Sequence, residues 1–215
     1  MIAFGVWVES EERYARVAAP ALARVLEADS AVLESVTDGC IFEAYAEIMD
    51  AAADLPGLEA LVLLRDDVEL LDADLTTRLR AALAEPGAAL VGAVGARHVT
   101  SLRWWEGDVV GRLAHPGGVL GDAAAGPQEV HVLDGALLAL APAVVTALRY
   151  DRACWAGVHG HDAELCALTR AAGGRVLVTD LDVRRASAPI PAEDLAFLRA
   201  DLLWRARWSA LPDAA

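Results

Sequence analysis

The sequence predicts an α/β fold, a single domain built on a central, mainly parallel sheet flanked by helices. Three observations carry this reading. Short apolar runs alternate with stretches of helical period from residue 2 to residue 94, the runs are nearly free of polar residues, and no internal repeat interrupts them. Strands apolar on both faces belong in a sheet covered on both sides, and crossover helices supply that cover.

Taken in order, Ile2 to Val8 reads as a strand and Glu11 to Ala28 as a helix with Tyr14, Val17, Ala18, Ala21, Leu22 and Val25 at helical spacing. Ala31 to Val36 is a second strand, Ile41 to Ala53 a second helix, and Leu58 to Leu64 a third strand whose only polar residue is Glu59. Asp72 or Asp74 caps the next helix, Leu75 to Ala84, and Ala88 to Val94 follows as a fourth strand. From Gly95 to Gly126 there are seven glycines and no long periodic element, so 95–128 is expected to be a variable, mobile loop. Glu129 to Leu140 reads as a strand broken at Asp134-Gly135, and Pro142 to Leu148 as a helix with proline in its first turn. Asp162 to Ala172 is a helix closed by Gly173-Gly174, and Arg175 to Leu181 a further strand. The C-terminal segment 190–215 carries a last amphipathic helix, Ala192 to Ala210, expected to bury Leu195, Leu198, Leu202 and Trp208. A chain of 215 residues suits one sizeable core, so residues 1–215 are expected to form one domain.

Charge and composition narrow the partners. The net charge is -14, and all 18 basic residues are arginine, so a nucleic-acid backbone would be repelled. The three cysteines, Cys40, Cys154 and Cys166, have no CxxC spacing, which argues against a zinc site and fits a reducing, cytoplasmic compartment. The opening MIAFGVWVESEERY lacks the basic start of a signal peptide. The longest apolar stretch, Val130 to Leu148, contains His131, Asp134 and Pro142, so no transmembrane segment is expected. Nothing in the sequence marks an oligomeric state.

Chemistry concentrates where strands end. In LVLLRDDVELLD, residues 61–72, an apolar strand runs into Arg65, Asp66, Asp67 and Glu69. Ligands of open parallel sheets bind beyond the carboxyl ends of strands, and two carboxylates projecting to one side suit a hard divalent cation. The plainer reading is a solvated turn that caps the next helix. A second cluster is WAGVHGHDAELCALTRAAGGRVLVTDLDV, residues 155–183, preceded by HVLDGALLALAP.

Together these segments resemble the family 2-like glycosyltransferases of the GT-A fold. In that family an aspartate-containing turn follows a central strand, a D-G-x-x-L strand follows a variable loop, and an E-D-x-D/E-L segment opens a helix. Here those positions read Asp66-Asp67, Asp134-Gly135 with Leu137 and Leu138, and His161-Asp162-Ala163-Glu164-Leu165. The resemblance implies a Rossmann-like GT-A domain that moves a sugar, with inversion, from a nucleotide diphosphate sugar donor to an acceptor it does not identify. It makes Asp162 the general base and Asp67 the ligand of a divalent metal, manganese or magnesium. It places Val8, Glu9 and Asp38 at the nucleotide base, and Asp134 and Gly135 under the donor sugar and acceptor. Asp66 and His161 fall beside these as substrate-binding positions.

Two departures count against the metal. Arg65 stands where the family's first aspartate would be, and Asp182 to Ser187 holds no histidine to complete the site. Arg65, Arg184 or Arg185 can instead neutralise a departing diphosphate, because guanidinium pairs bidentately with phosphate oxygens. Trp104 and Trp105 offer aromatic faces for stacking on a sugar or base, or else split between core and surface. Trp155, Trp204 and Trp208 read as packing residues. Asp162 has a rival reading as a helix N-cap, and His159 with His161 one as a metal pair. The cysteines lack an orienting partner for nucleophilic catalysis. Two functional alternatives stand beside the transferase: a binding or scaffold protein that kept the fold and lost the metal site, and a phosphohydrolase using Asp66 or Asp67. The second lacks the expected D-x-D-x-T/V order and a lysine.

Overall fold

The computed structural model describes residues 1–37, 39–151, 155, 157–187 and 194–208. Elements are numbered in chain order. The first half follows the predicted alternation: β1 (Ile2–Val8), α1 (Glu11–Arg16), α2 (Ala18–Val25), β2 (Ala31–Val36), α3 (Ile41–Ala53), β3 (Ala60–Arg65), β4 (Val68–Leu70), α4 (Leu75–Leu83) and β5 (Ala88–Gly92). The expected first helix is divided at Val17, because Pro20 lacks the N–H that would bond back to Arg16. Ser10 caps α1 by accepting from the Arg13 amide.

The second half adds β6 (Val94–Arg97), β7 (Asp108–His115), β8 (Gly118–Asp122), β9 (Gln128–Glu129), β10 (Val132–Leu133), β11 (Leu137–Leu140), α5 (Pro142–Ala147), α6 (His161–Ala171), β12 (Arg175–Val178), β13 (Val183–Arg185) and α7 (Leu195–Trp208). Segment 95–128, which the glycine count predicts to be a loop, instead carries the antiparallel β7–β8 hairpin. Its glycines serve strand contacts: Gly111 and Gly121 both have positive φ, and a Cβ on either would run into backbone across the ladder.

Among the described residues two sheets form. The larger has the order β2-β1-β3-β11-β5-β12-β9, and the smaller runs β10-β6-β7-β13-β4 with β8 beside β7. The larger sheet is mixed, not mainly parallel. β1 pairs in parallel with β2 and β3, and β12 with β5, but β11 is antiparallel to both of its neighbours. Leu137–Leu140 is buried on both faces like a parallel strand, so its residues carry no sign of its direction. That direction follows from its approach: the chain leaves the smaller sheet through β10 and turns at Asp134-Gly135 into the larger one.

Helix α3 packs on β1 and β2, α5 on β3 and β5, and α6 on β12 and β5. The core between them includes Phe4, Trp7, Phe42, Tyr45, Leu61, Leu63 and Leu138, all buried. Trp155 and Trp204 are buried packing residues as predicted, and Trp208 is half-buried against the core. The leucines of α7 overturn an expectation. Leu195, Leu198 and Leu202 are 61%, 40% and 68% exposed, and the helix buries Phe197, Ala200, Asp201 and Trp204 instead. Both stripes have helical spacing, so periodicity cannot choose between them. The Leu102 amide donates 2.7 Å to buried Asp201 Oδ1, and that bond fixes the rotation of the helix. No helix among the described residues is long and apolar enough to cross a membrane.

Close packing of α3 on β1 depends on Gly5, where an added Cβ would overlap Ile48 Cγ2 and press on Leu63. Gly5→Ala is expected to destabilise the fold by about 1–3 kcal/mol. In an Ile48→Ala background the same substitution should cost much less, a coupling that denaturant titration of the four proteins measures directly.

Candidate active site

The acidic turn after β3 divides its two aspartates between different tasks. Asp66 is fully buried, and its Oδ2 accepts from the amides of Glu9 and Ser10 at 3.0 and 2.8 Å. Arg13 donates to both of its oxygens, Nε at 2.8 Å and Nη2 at 3.0 Å. Burial works against the Arg13 charge, yet the Asp66 and Glu9 hydrogen bonds outweigh it and raise the Arg13 pKa. Asp66 therefore stitches the end of β1 to the end of β3, with its oxygens committed to protein donors, and it does not line the cleft described below. Val8 is buried at the end of β1, and exposed Glu9 holds Arg13 Nη2 at 2.7 Å. Neither lines that cleft. Asp38 lies outside the described residues.

Asp67 faces the other way. Strand alternation puts it on the side of Arg65, whose Nε donates 3.2 Å to Asp67 Oδ1 while its guanidinium lies 5.5 Å from the Trp7 ring centroid. Asp67 Oδ2 is buried without a partner among the described residues. A divalent cation needs several oxygen donors free of competing cations. Here one carboxylate is already paired with a guanidinium, and no cluster of three or more His, Cys, Asp or Glu poised for a metal occurs among the described residues. This donor set does not fit a resident divalent metal.

The remaining residues converge from distant parts of the chain. Asp134 and Gly135 form the turn between β10 and β11, and Asp134 Oδ1 accepts from the Ala136 amide at 2.8 Å and from Arg185 Nη2 at 2.7 Å. Asp162 lies in the first turn of α6, whose N-cap is Gly160 in the left-handed region, so Asp162 is not the N-cap. Its Oδ2 accepts from the Gly135 amide at 3.0 Å and its Oδ1 from the Ala163 amide at 2.8 Å. Arg185 ends β13, and attraction from Asp134, opposed by burial and aided by Asp67 and Asp162, raises its pKa. Arg184, one residue earlier, points to the opposite side and pairs with Glu69 at 2.6 and 2.7 Å, away from the cleft. His161 is buried beneath Gly135, its Nδ1 3.0 Å from the Val158 carbonyl and its Nε2 without a partner among the described residues. Burial lowers the His161 pKa against the pull of Asp162, which favours the neutral ring, and the Val158 carbonyl, which can only accept, favours the tautomer with the proton on Nδ1.

These groups line a cleft of about 340 Å³. Asp134, Asp162, His161, Arg65 and Arg185 form its polar part, and Trp104, Trp105, Leu102, Leu113, Leu120 and Phe197 its apolar part. Trp104 is buried and Trp105 is 38% exposed, so the tryptophan pair divides between core and surface while both touch the cleft. Phe197 was not legible as a site residue. It reaches the cleft because α7 turns its leucines outward, and it meets Trp105 and His159 at ring separations of 5.9 and 5.4 Å.

No family model matches the chain. A curated relative, the streptomycin biosynthesis protein StrF of Streptomyces griseus, is 30% identical over 183 residues, which is 84% of this chain and 64% of StrF. The chain thus spans less than two thirds of that relative's length. Among solved structures, A197 from STIV matches with a TM-score of 0.54 and 11% identity over 90% of this chain and 99% of its own. The crystal structure of GalNAc-T7 with UDP, GalNAc and Mn2+ matches with a TM-score of 0.58 and 12% identity, over 87% of this chain and 44% of its own. These likenesses show a glycosyltransferase-like, GT-A-like fold.

The role of Asp66 is open to measurement on the protein alone. Asp66→Ala leaves a guanidinium and two amides without their acceptor and should cost about 3 kcal/mol in urea denaturation. A cost below about 0.5 kcal/mol would show that the turn does not depend on it.

Proposed function

We propose that the chain transfers a glycosyl group, with inversion, from a nucleotide diphosphate sugar to a hydroxyl-bearing acceptor held in the cleft. The observation that carries this reading is the convergence of Asp134, Asp162 and Arg185 beside Asp67, within a fold of glycosyltransferase type. In the reaction Asp162 takes the proton of the acceptor hydroxyl as that oxygen attacks the anomeric carbon. The bond from that carbon to the diphosphate breaks, and the diphosphate leaves with the electron pair. Arg185 and Arg65 offset the charge that develops on it, a task suited to guanidinium forks. The nucleotide lies along the end of β1, near Val8 and Glu9.

A second reading has its own support. Asp67 is held by Arg65 and Asp162 already accepts two backbone amides, an arrangement equally suited to a binding protein that no longer turns over. Substitution of Asp162 separates the two. Asparagine has one acceptor oxygen where two amides need one each, so Asp162→Asn should lose about 1–3 kcal/mol of stability. Transfer, or donor hydrolysis as its surrogate, should fall by about a hundredfold to ten-thousandfold, while donor affinity is kept. Full turnover in Asp162→Asn would remove the base assignment.

Because guanidinium groups replace the expected metal ligands, nucleotide diphosphate should bind almost as well in chelator as in manganese. Calorimetric titrations should agree within about tenfold, or about 1.4 kcal/mol. A far larger loss in chelator would restore a metal to the site.

A further inference from the structure

Charge does not choose the guest of the cleft. Asp134 and Asp162 line it together with Arg65 and Arg185, two carboxylates against two guanidiniums. These four come from the β10–β11 turn, the first turn of α6, and the ends of β3 and β13. The rest of the lining has a different origin and a stronger preference. Leu102, Trp104 and Trp105 reach the cleft from the connection between β6 and β7, Leu113 from β7, Leu120 from β8 and Phe197 from α7.

This apolar wall offers a guest few hydrogen-bond partners. Its imidazoles are already engaged: His115 Nδ1 accepts from the Gly117 amide at 3.1 Å, and His159 Nε2 lies 3.6 Å from Asp194 Oδ2. Stacking on a sugar ring would account for the aromatic members, but not for the three leucines. Against their branched ends the hydroxyl rim of a sugar would be stripped of water and left without a partner. The wall is also held in place. Trp105 meets Trp104 and Phe197 at ring separations of 6.0 and 5.9 Å. The bond from the Leu102 amide to Asp201 fixes the rotation of α7, so one contact brings both Leu102 and Phe197 to the cleft while Leu195 and Leu202 are left in solvent.

We infer that the guest carries a compact apolar group, an alicyclic or aromatic ring with few polar substituents, beside the polar atom that meets Asp162 and Arg185. A volume of about 340 Å³ lies at the small end of ligand pockets, which suits one such ring better than a long acyl chain. This rests on the transfer reading only in making that guest the acceptor, because the apolar preference is a property of the wall without any donor.

The test uses two neutral probes of like shape, cyclohexylmethanol and glucose, which share a six-membered ring and a hydroxymethyl group and differ in their ring hydroxyls. Each is titrated into the full chain without donor or metal and followed by ligand-observed NMR. Cyclohexylmethanol should saturate one site at least about tenfold more tightly than glucose, about 1.4 kcal/mol. Trp105, 38% exposed, and Leu120, half-buried, can be changed with little burden on the fold. Trp105→Ser and Leu120→Ser should each weaken cyclohexylmethanol by about threefold or more and leave glucose unchanged. Leu195→Ser and Leu202→Ser, on the outer face of α7, should change neither. Equal affinities, no saturable binding of cyclohexylmethanol, or a preference lost in the outer-face variants but kept in Trp105→Ser and Leu120→Ser would each overturn the inference. So would displacement of cyclohexylmethanol by uridine or adenosine, which would give the wall to the base of the donor. Apolar preference without turnover onto any hydroxyl would retire the transfer reading alone, whereas turnover onto glucose without apolar preference would do the reverse.

Discussion

The contact on which the site depends is the largely buried ion pair between Arg185 and Asp134. Arg185 closes β13 in the smaller sheet, and Asp134 sits where the chain crosses from that sheet into the larger one. A charge in such a place must keep its partner, because removing one member of a buried pair leaves the other uncompensated at a cost of several kcal/mol. The pair therefore locks the relative position of the two sheets where the cleft opens between them. The Ala136 amide on the same Asp134 oxygen holds the turn that aims Gly135 at Asp162. Asp67 and Asp162 add their attraction to the same guanidinium, so carboxylates from three distant segments are organised around one cation.

A guanidinium in this position differs in kind from a divalent ion. Its charge is delocalised over a plane, it needs no set of dedicated oxygen ligands, and it cannot be removed by a chelator. Strand geometry explains how Arg65 comes to pair with Asp67. Residues 65 and 67 share one side of an extended chain, so an arginine at 65 reaches its neighbour but one, and Asp67 finds its cation within its own strand end. Asp66 is turned to the opposite side by the same alternation, toward the β1–α1 turn. One R-D-D sequence thus supplies an internal ion pair on one side and a structural stitch on the other.

Much of this was legible in the sequence, and the remainder was hidden for definite reasons. The βα alternation of the first half could be read because β1, β3 and β5 are apolar on both faces and α2, α3 and α4 each carry an apolar stripe. Asp134, Gly135 and Asp162 could be singled out through the resemblance to the family 2-like glycosyltransferases, and Arg185 as a cation able to stand in for absent metal ligands. The direction of β11 was not legible, since its burial is the same in either orientation. The β7–β8 hairpin was masked by glycines that look like loop punctuation yet sit where strands approach too closely for a side chain. The three-residue strands β4 and β13 are too short to show a period, and they separate Arg184 from Arg185. The face of α7 was decided by Asp201, a polar residue that hydropathy assigns to solvent.

A D-G turn ordinarily invites explanation by the conformational freedom of glycine, but Gly135 is absent from the positive-φ residues. Its constraint is steric: a Cβ there would run into the His161 ring and crowd Asp162 Oδ2. The backbone of the turn lies directly on the imidazole, and its amide donates to Asp162. The orientation of Asp162 is thus set by main chain at a sheet junction and by a buried ring, whose carbonyl in turn accepts from Tyr150. A carboxylate held by such rigid elements keeps its position when the cleft fills, which is what the base role proposed for Asp162 requires.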